Sequence, residues 1–184
     1  MGVFSKDGEL VVPGPYRFDQ TALFLAATKW TVLGNDTVNL AANAGHILGT
    51  GSLLFDKTNG LANTKLAGMS RTVSWDLVGV GPKDHIVGCF YIPNTAAVDY
   101  AFVRIGTSAG HLHEWRYPDT SMTTASWNMF DIAVGSPTSQ TGNGVDWSAV
   151  AYLCVGVAFD AETDALANML WNNIGIEQAA LTRT

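Results

Sequence analysis

Along much of this chain apolar and polar residues alternate with a period of two. Val73, Trp75 and Leu77 are interleaved with Thr72, Ser74 and Asp76, the mark of a strand with one face buried. Residues 85–92 form a nearly continuous apolar run stopped by Pro93 and Asn94. Residues 100–106 and 111–117 flank Thr107-Ser108-Ala109-Gly110 and read as a hairpin. Residues 127–134 predict another strand, closed by Gly135-Ser136-Pro137. Residues 150–159 are apolar in both alternating sets, as a central strand should be. Residues 51–56 and 170–177 complete about eight strands, separated by clusters of Gly, Asn, Ser, Thr and Pro. No long helical pattern interrupts them. The expected class is all-β, an antiparallel sandwich or barrel. Trp75, Phe90, Phe102, Leu153, Val155, Val157 and Ile174 occupy strand centres and are the expected core.

The N-terminal stretch reads differently. Pro13, Gly14 and Pro15 break residues 1–20, so these cannot form one regular element. They predict an extended arm, with a short extended piece around residues 9–12 and then a turn. Val3, Phe4, Leu10, Val11, Val12 and Tyr16 are too many apolar side chains for a free tail. We expect this arm to dock on a neighbouring subunit, with residues 21–184 forming the sandwich domain. Residues 20–29 lack breakers and fit either two helical turns or a strand in which Leu23 and Leu25 alternate with Phe24. Both readings stay open.

Composition narrows the functional classes. Charged residues are 14% of 184 and hydrophobic residues 47%, which argues for a folded globular chain. The net charge of −6 argues against a nucleic-acid partner held by a basic surface. No apolar run reaches the roughly 18 residues of a membrane span. Residues 1–83 carry seven Lys/Arg and six Asp/Glu, a balance of +1, whereas residues 84–184 carry three Arg and ten Asp/Glu, a balance of −7. Cys89 and Cys154 each sit in an apolar run and read as small buried thiols. Asp7 stands where a signal peptide would carry basic residues, and no long apolar run follows. Synthesis in a cytoplasm without a classical export signal is therefore expected.

The most specific stretch lies in the C-terminal third. It contains Ser126-Trp127-Asn128-Met129-Phe130-Asp131-Ile132, then Gly142-Asn143-Gly144-Val145-Asp146-Trp147-Ser148-Ala149-Val150, and ends on Trp171-Asn172-Asn173-Ile174-Gly175-Ile176. This resembles jelly-roll β-sandwiches of the carbohydrate-binding and lectin-like type, including domains found on phage virions, such as capsid decoration (cement) proteins. The resemblance implies an antiparallel jelly-roll β-sandwich. Asp146 and Ser148 can bond backbone amides in their loop while Trp147 covers one end of the core. Relatives often carry an Asp in the last strand that can ligate calcium. This chain has Asn172 and Asn173 there, without the charge such a site uses, so no cofactor is expected.

Candidate chemistry is sparse. His111 and His113 share a strand face from which Glu114 points away, leaving two convergent ligands and no third. Glu114, Asp119 and Asp131 are the carboxylates that glycoside hydrolysis would need held at a set separation. Trp115 and Tyr117 lie on the same face as the two histidines. His111, His113, Trp115 and Tyr117 are thus the candidate glycan or partner contacts, with core or interface packing as the competing assignment. No nucleophile triad, phosphate loop or dinucleotide fingerprint is present. The favoured expectation is a non-enzymatic structural virion protein of a tailed phage, a decoration or cement protein on the major capsid protein or another virion protein. A homotrimer is expected on the resemblance alone. The alternative is a carbohydrate-binding adhesin domain, as in a tail fibre, and the third reading is an accessory to a glycan-active enzyme.

Overall fold

A computed structural model describes residues 27–46, 51–59 and 64–177, together with the backbone of short strands at residues 3–4, 10–11 and 16–17. The strands are β1 (Val3–Phe4), β2 (Leu10–Val11), β3 (Tyr16–Arg17), β4 (Thr31–Val32), β5 (Thr37–Asn43), β6 (Ser52–Lys57), β7 (Leu66–Trp75), β8 (His85–Ile92), β9 (Val98–Ser108), β10 (His111–Pro118), β11 (Ser126–Ala133), β12 (Ser139–Thr141), β13 (Val150–Phe159) and β14 (Leu166–Glu177). Two sheets face each other. The front sheet has the order β12-β10-β9-β13-β7-β4, and the back sheet β11-β8-β14-β6-β5, with β3 also paired to β14. The chain is an antiparallel β-sandwich of the jelly-roll type, with short 3-10 turns at Ala27–Lys29 and Asp119–Ser121.

The core is made of alternate residues from the two inner faces. Ala101, Val103 and Ile105 of β9 and Leu153, Val155, Val157 and Phe159 of β13 meet Phe55 of β6, Phe90 of β8 and Trp171 and Ile174 of β14. β13 sits between β9 and β7, which is why both its alternating sets are apolar. One set faces the core, while the other lies between flanking strands on the outer side. Burying each Leu, Val or Phe contributes about 1.5–3 kcal/mol, so this layer is the main driving force for the fold.

Several expectations need correction. Trp75 is only half-buried, because it ends β7 beside the register shift that pairs it with Val150. Phe102 is fully buried, as expected, but on the outer side of its sheet and outside the core cluster. It alternates with Ala101 and Val103 and therefore faces away from the back sheet. β7 starts at Leu66, well before the period-two signal at Thr72. β5 lacked a clear pattern because it is an edge strand with a register shift between Val38 and Ala41 and Asn39 at φ 57°. Asn172 and Asn173 form a bulge in β14. Asn173 adopts φ 61°, a left-handed conformation that Asn tolerates better than most residues, and Asn172 Nδ2 donates to Gly51 O at 2.6 Å.

In the expected arm, β1 and β2 pair with each other, Val3 opposite Val11 and Phe4 opposite Leu10. Tyr16 and Arg17 of β3 pair with Ile176 and Gly175 of β14, so the chain meets the back sheet there. Val12 lies outside the described residues, as do the side chains of Val3, Phe4, Leu10, Val11 and Tyr16. Of the stretch left open between helix and strand, Ala27–Lys29 is a 3-10 turn and residues 20–26 lie outside the described residues.

A buried lysine ties the β13–β14 turn to the start of β5. Lys57 Nζ donates to the carbonyls of Thr58 at 3.1 Å, Glu162 at 2.8 Å and Asp164 at 2.8 Å. The Asp36 carboxylate lies 3.9 Å away. All three ammonium protons are thereby used.

Candidate functional site

Of the four contacts expected on β10, His113, Trp115 and Tyr117 alternate inward, and His111 lies beyond the register shift that opens the strand. Trp115 has no exposed surface, and its Nε1 donates to Val134 O at 3.2 Å. Tyr117 packs its ring against Phe90 and Phe130 and donates its hydroxyl to Ser121 O. His113 meets Gln140 Oε1 at 3.1 Å and Trp115 edge-on. His111 is exposed, and its Nδ1 accepts from the Asn143 N–H. Trp115 and Tyr117 are therefore not a sugar platform. They close one edge of the core, and the histidines seat the 142–146 loop. Gly142 and Gly144 have φ 56° and 75°, and a Cβ at either would come within 2.3 Å of the His111 or His113 ring. A hollow of about 330 Å³ lies beside that loop, lined by Thr107, His111, Asn143, Gly144, Val145 and Asp146.

In the Asp-Trp-Ser segment Asp146 bonds a backbone amide as expected, whereas the Ser148 hydroxyl bonds the Asp146 carboxylate instead of an amide. Asp146 Oδ1 accepts from the Ser148 amide at 3.0 Å and hydroxyl at 2.7 Å, which holds its carboxyl below the usual range. Trp147 packs against the core. The three candidate hydrolytic carboxylates do not converge. Asp131 pairs with His85 on the back sheet and alternates with the core residue Phe130, so it faces outward there. Glu114 faces outward from the front sheet, with the thickness of the sandwich between them. Asp119 opens a 3-10 turn. Among the described residues no three His, Cys, Asp or Glu side chains group to hold a metal ion.

The outer face of the front sheet carries a different arrangement. Residues in register on neighbouring strands point to the same side, and the pairings lay out two adjacent rows. One runs Ser139, Glu114, Arg104, Cys154, Ser70 across β12, β10, β9, β13 and β7. The next runs Arg116, Phe102, Gly156, Gly68. Tyr152 and Tyr100 flank these rows on β13 and β9. Gly156 leaves the space that Phe102 fills, since a Cβ there would lie 2.6 Å from Phe102 Cζ. Phe102 and Cys154 have no exposed surface and Glu114 only 2%, although they are on an outer face. The larger side chains around them cover them.

Glu114 organises this cluster. Its Oε2 accepts from Arg104 Nε and its Oε1 from Arg116 Nε, each at 2.5 Å. Ser139 Oγ donates to Oε1 at 3.4 Å. The Arg104 guanidinium stacks 4.4 Å from the Phe102 ring centre and the Arg116 guanidinium 4.1 Å from that of Tyr100. Burial pushes the Cys154 thiol up to about 11 and raises the Tyr152 phenol. Tyr100 is raised by burial first and by Glu114 second. Tyr100, Arg104, Arg116 and Tyr152 are half-buried, each with part of its surface facing solvent. The arrangement offers flat aromatic surface, fixed guanidinium donors and hydroxyls on one broad, shallow face. Such a face can hold a ligand by stacking and hydrogen bonds.

The sequence pattern singled out Glu114 only as a carboxylate and Phe102 only as core, and did not single out Tyr100, Arg104, Arg116 or Tyr152. The one available signal was phase: Tyr100, Phe102 and Arg104 alternate with Ala101, Val103 and Ile105, and the small aliphatic set is the one that faces the core.

No protein-family model and no curated protein matches the chain. Solved structures do match. A family 11 carbohydrate-binding module from Clostridium thermocellum, in complex with a β-1,3-1,4-mixed-linked tetrasaccharide, superposes with a TM-score of 0.60 at 13% identity, covering 92% of this chain and 98% of that one. The fold is that of a carbohydrate-binding-module β-sandwich. The C-terminal family 22 carbohydrate-binding module of Clostridium thermocellum Xyn10B matches with a TM-score of 0.51 at 14% identity, over 94% of this chain and 99% of that one. An exo-β-agarase matches with a TM-score of 0.62 at 9% identity over 89% of this chain, which spans 25% of the agarase chain.

Proposed function

We propose that this chain is a non-catalytic carbohydrate-binding domain that takes a glycan on the outer face of the front sheet. The observation carrying this reading is the cluster itself, with Tyr100 and Tyr152 flanking two arginines whose guanidinium groups Glu114 holds in place. Tyrosine faces stack on sugar rings, and the arginine forks and serine hydroxyls supply directional donors. Likeness to modules that bind polysaccharide supports the reading at the level of fold. It favours the adhesin alternative over capsid decoration. The test is affinity electrophoresis of the full chain through gels containing a panel of soluble polysaccharides. Retardation by at least one polymer, lost in Tyr152→Ala with an unchanged circular dichroism spectrum, is the expected result. Binding unaffected by Tyr152→Ala and Tyr100→Ala would move the site elsewhere.

Attachment to a larger assembly keeps one supporting observation. β1 and β2 form a two-stranded sheet of their own and carry the apolar residues Val3, Phe4, Leu10 and Val11. In this second reading residues 1–16 anchor the domain to a virion protein or to further copies of itself, in a trimer. Deleting residues 1–16 should then leave the sandwich folded and abolish assembly in sedimentation analysis. An unchanged oligomeric state would remove this role for the arm.

A further inference from the structure

The front face has a lopsided charge. Among the described residues, the outward positions of its six strands contribute Arg104, Arg116 and Glu114 and no other group that is charged at neutral pH. Tyr152 and Cys154 stay protonated, because burial raises both. Asp99 is exposed at the start of β9 and is the weakest of the influences on Tyr100. Two guanidinium groups against one carboxylate leave the cluster at +1 in a chain of net charge −6.

That positive charge is partly withdrawn from water. The Arg104 side chain is 18% exposed and that of Arg116 37%. Each spends its Nε on Glu114, so the terminal nitrogens are not committed to the carboxylate. Stacking on Phe102 and Tyr100 orients the guanidinium planes before any ligand arrives. A neutral sugar could use these donors but would leave the extra charge uncompensated. An oxyanion would use the donors and neutralise the charge together, forming charge-assisted bonds roughly twice as strong as neutral ones.

We propose that the glycan bound on this face is acidic, with a uronate carboxylate or a sulfate ester held by the terminal N–H groups of Arg104 and Arg116. This rests on the glycan-binding reading above. The experiment measures affinity of the full chain for polygalacturonate, a carrageenan, agarose and a mixed-linkage β-glucan, the first two acidic and the last two neutral. At least one acidic polymer should bind about tenfold more tightly than either neutral one, a difference of about 1.4 kcal/mol. Raising salt from roughly 0.05 to 0.5 M should weaken that binding several-fold by screening. Arg116→Gln should lower it by about tenfold or more, and Arg116→Lys, which keeps charge but loses the fork, by less. Binding to polygalacturonate alone identifies a carboxylate and binding to the carrageenan alone a sulfate. Equal or tighter binding to a neutral polymer, or acidic binding indifferent to salt and to Arg116→Gln, overturns the inference and leaves the glycan reading standing. Failure of all four polymers to bind folded protein overturns both.

Discussion

Asp36 and Glu114 are both buried carboxylates set beside cations, and their surroundings differ in one respect. Beside Asp36, Lys57 points inward and meets three backbone carbonyls, so its donors are used up within the protein. Beside Glu114, two arginines share the carboxylate through their Nε atoms, which leaves their terminal nitrogens outside that contact, although Arg104 also bonds the Cys154 thiol. Desolvating a lysine is costly unless every proton finds an acceptor, and Lys57 satisfies that condition. A guanidinium has five donors in a flat fork, so it can anchor on one side and present donors on the other. The difference separates a structural clip from the proposed binding face, though both are buried ionic clusters in one small sandwich.

The largest effect should come from breaking the clip. Lys57→Met leaves Asp36 and three backbone carbonyls buried without the ammonium, and should cost about 3–5 kcal/mol. At this chain length that lowers the melting temperature by roughly 10 °C in a calorimetric scan. The folded fraction should bind glycan as before. A variant as stable as the parent would mean that water reaches those carbonyls.

Glu114→Gln should cost less, about 2 kcal/mol, because Arg104 and Arg116 keep some contact with solvent. It should also raise the charge of the face to +2, so acidic polymers should still be bound at low salt. Loss of all binding in a folded Glu114→Gln protein would show that the carboxylate matters chiefly for positioning the arginines.

Tyr152→Ala should leave stability within about 1 kcal/mol and weaken glycan binding by about 1–2 kcal/mol. Isothermal titration beside a thermal melt separates the two. A large melting shift without an affinity change would assign Tyr152 to packing over Gly106 instead.

The smallest effect concerns the thiols. Burial pushes Cys89 and Cys154 up to about 11 from an ordinary value of 9.0. Both are acids whose neutral form the fold favours. Their contribution is complete below pH 9 and is lost as the pH rises towards 11. Cys89→Ala should flatten the fall in melting temperature over that interval, measured by circular dichroism. Both thiols should resist a thiol reagent at pH 8 until denaturant is added.

The hairpin of β9 and β10 shows how far the sequence could be followed. Its strands and turn were legible from alternation and from Thr107-Ser108-Ala109-Gly110. A tight turn that pairs Ser108 with His111 would place Arg104 opposite Trp115. The register shift between His111 and Leu112 places it opposite Glu114 instead. Nothing in the residue pattern announces that bulge, and without it the arginine and the carboxylate would not meet. On β10 the residue types left two assignments open, ligand contact and core packing. Trp115 and Tyr117 look like ligand platforms, but their large apolar surfaces are worth more in the core.

What this sequence determined alone is local. A period of two, breakers between runs and a doubly apolar 150–159 segment are short-range properties, and they are sufficient for an all-β antiparallel fold, sandwich or barrel. Asp146, Trp147 and Ser148 also act within a few residues of one another, so the roles of Asp146 and Trp147 were visible in order. The front-face cluster draws Arg104, Glu114, Cys154, Ser139 and Ser70 from five strands. Their meeting depends on strand order and on bulges set by the packing of the whole sandwich. Tertiary structure decided it because cross-strand register is a property of pairs of segments, and each side chain's partner is chosen by residues far away in the chain.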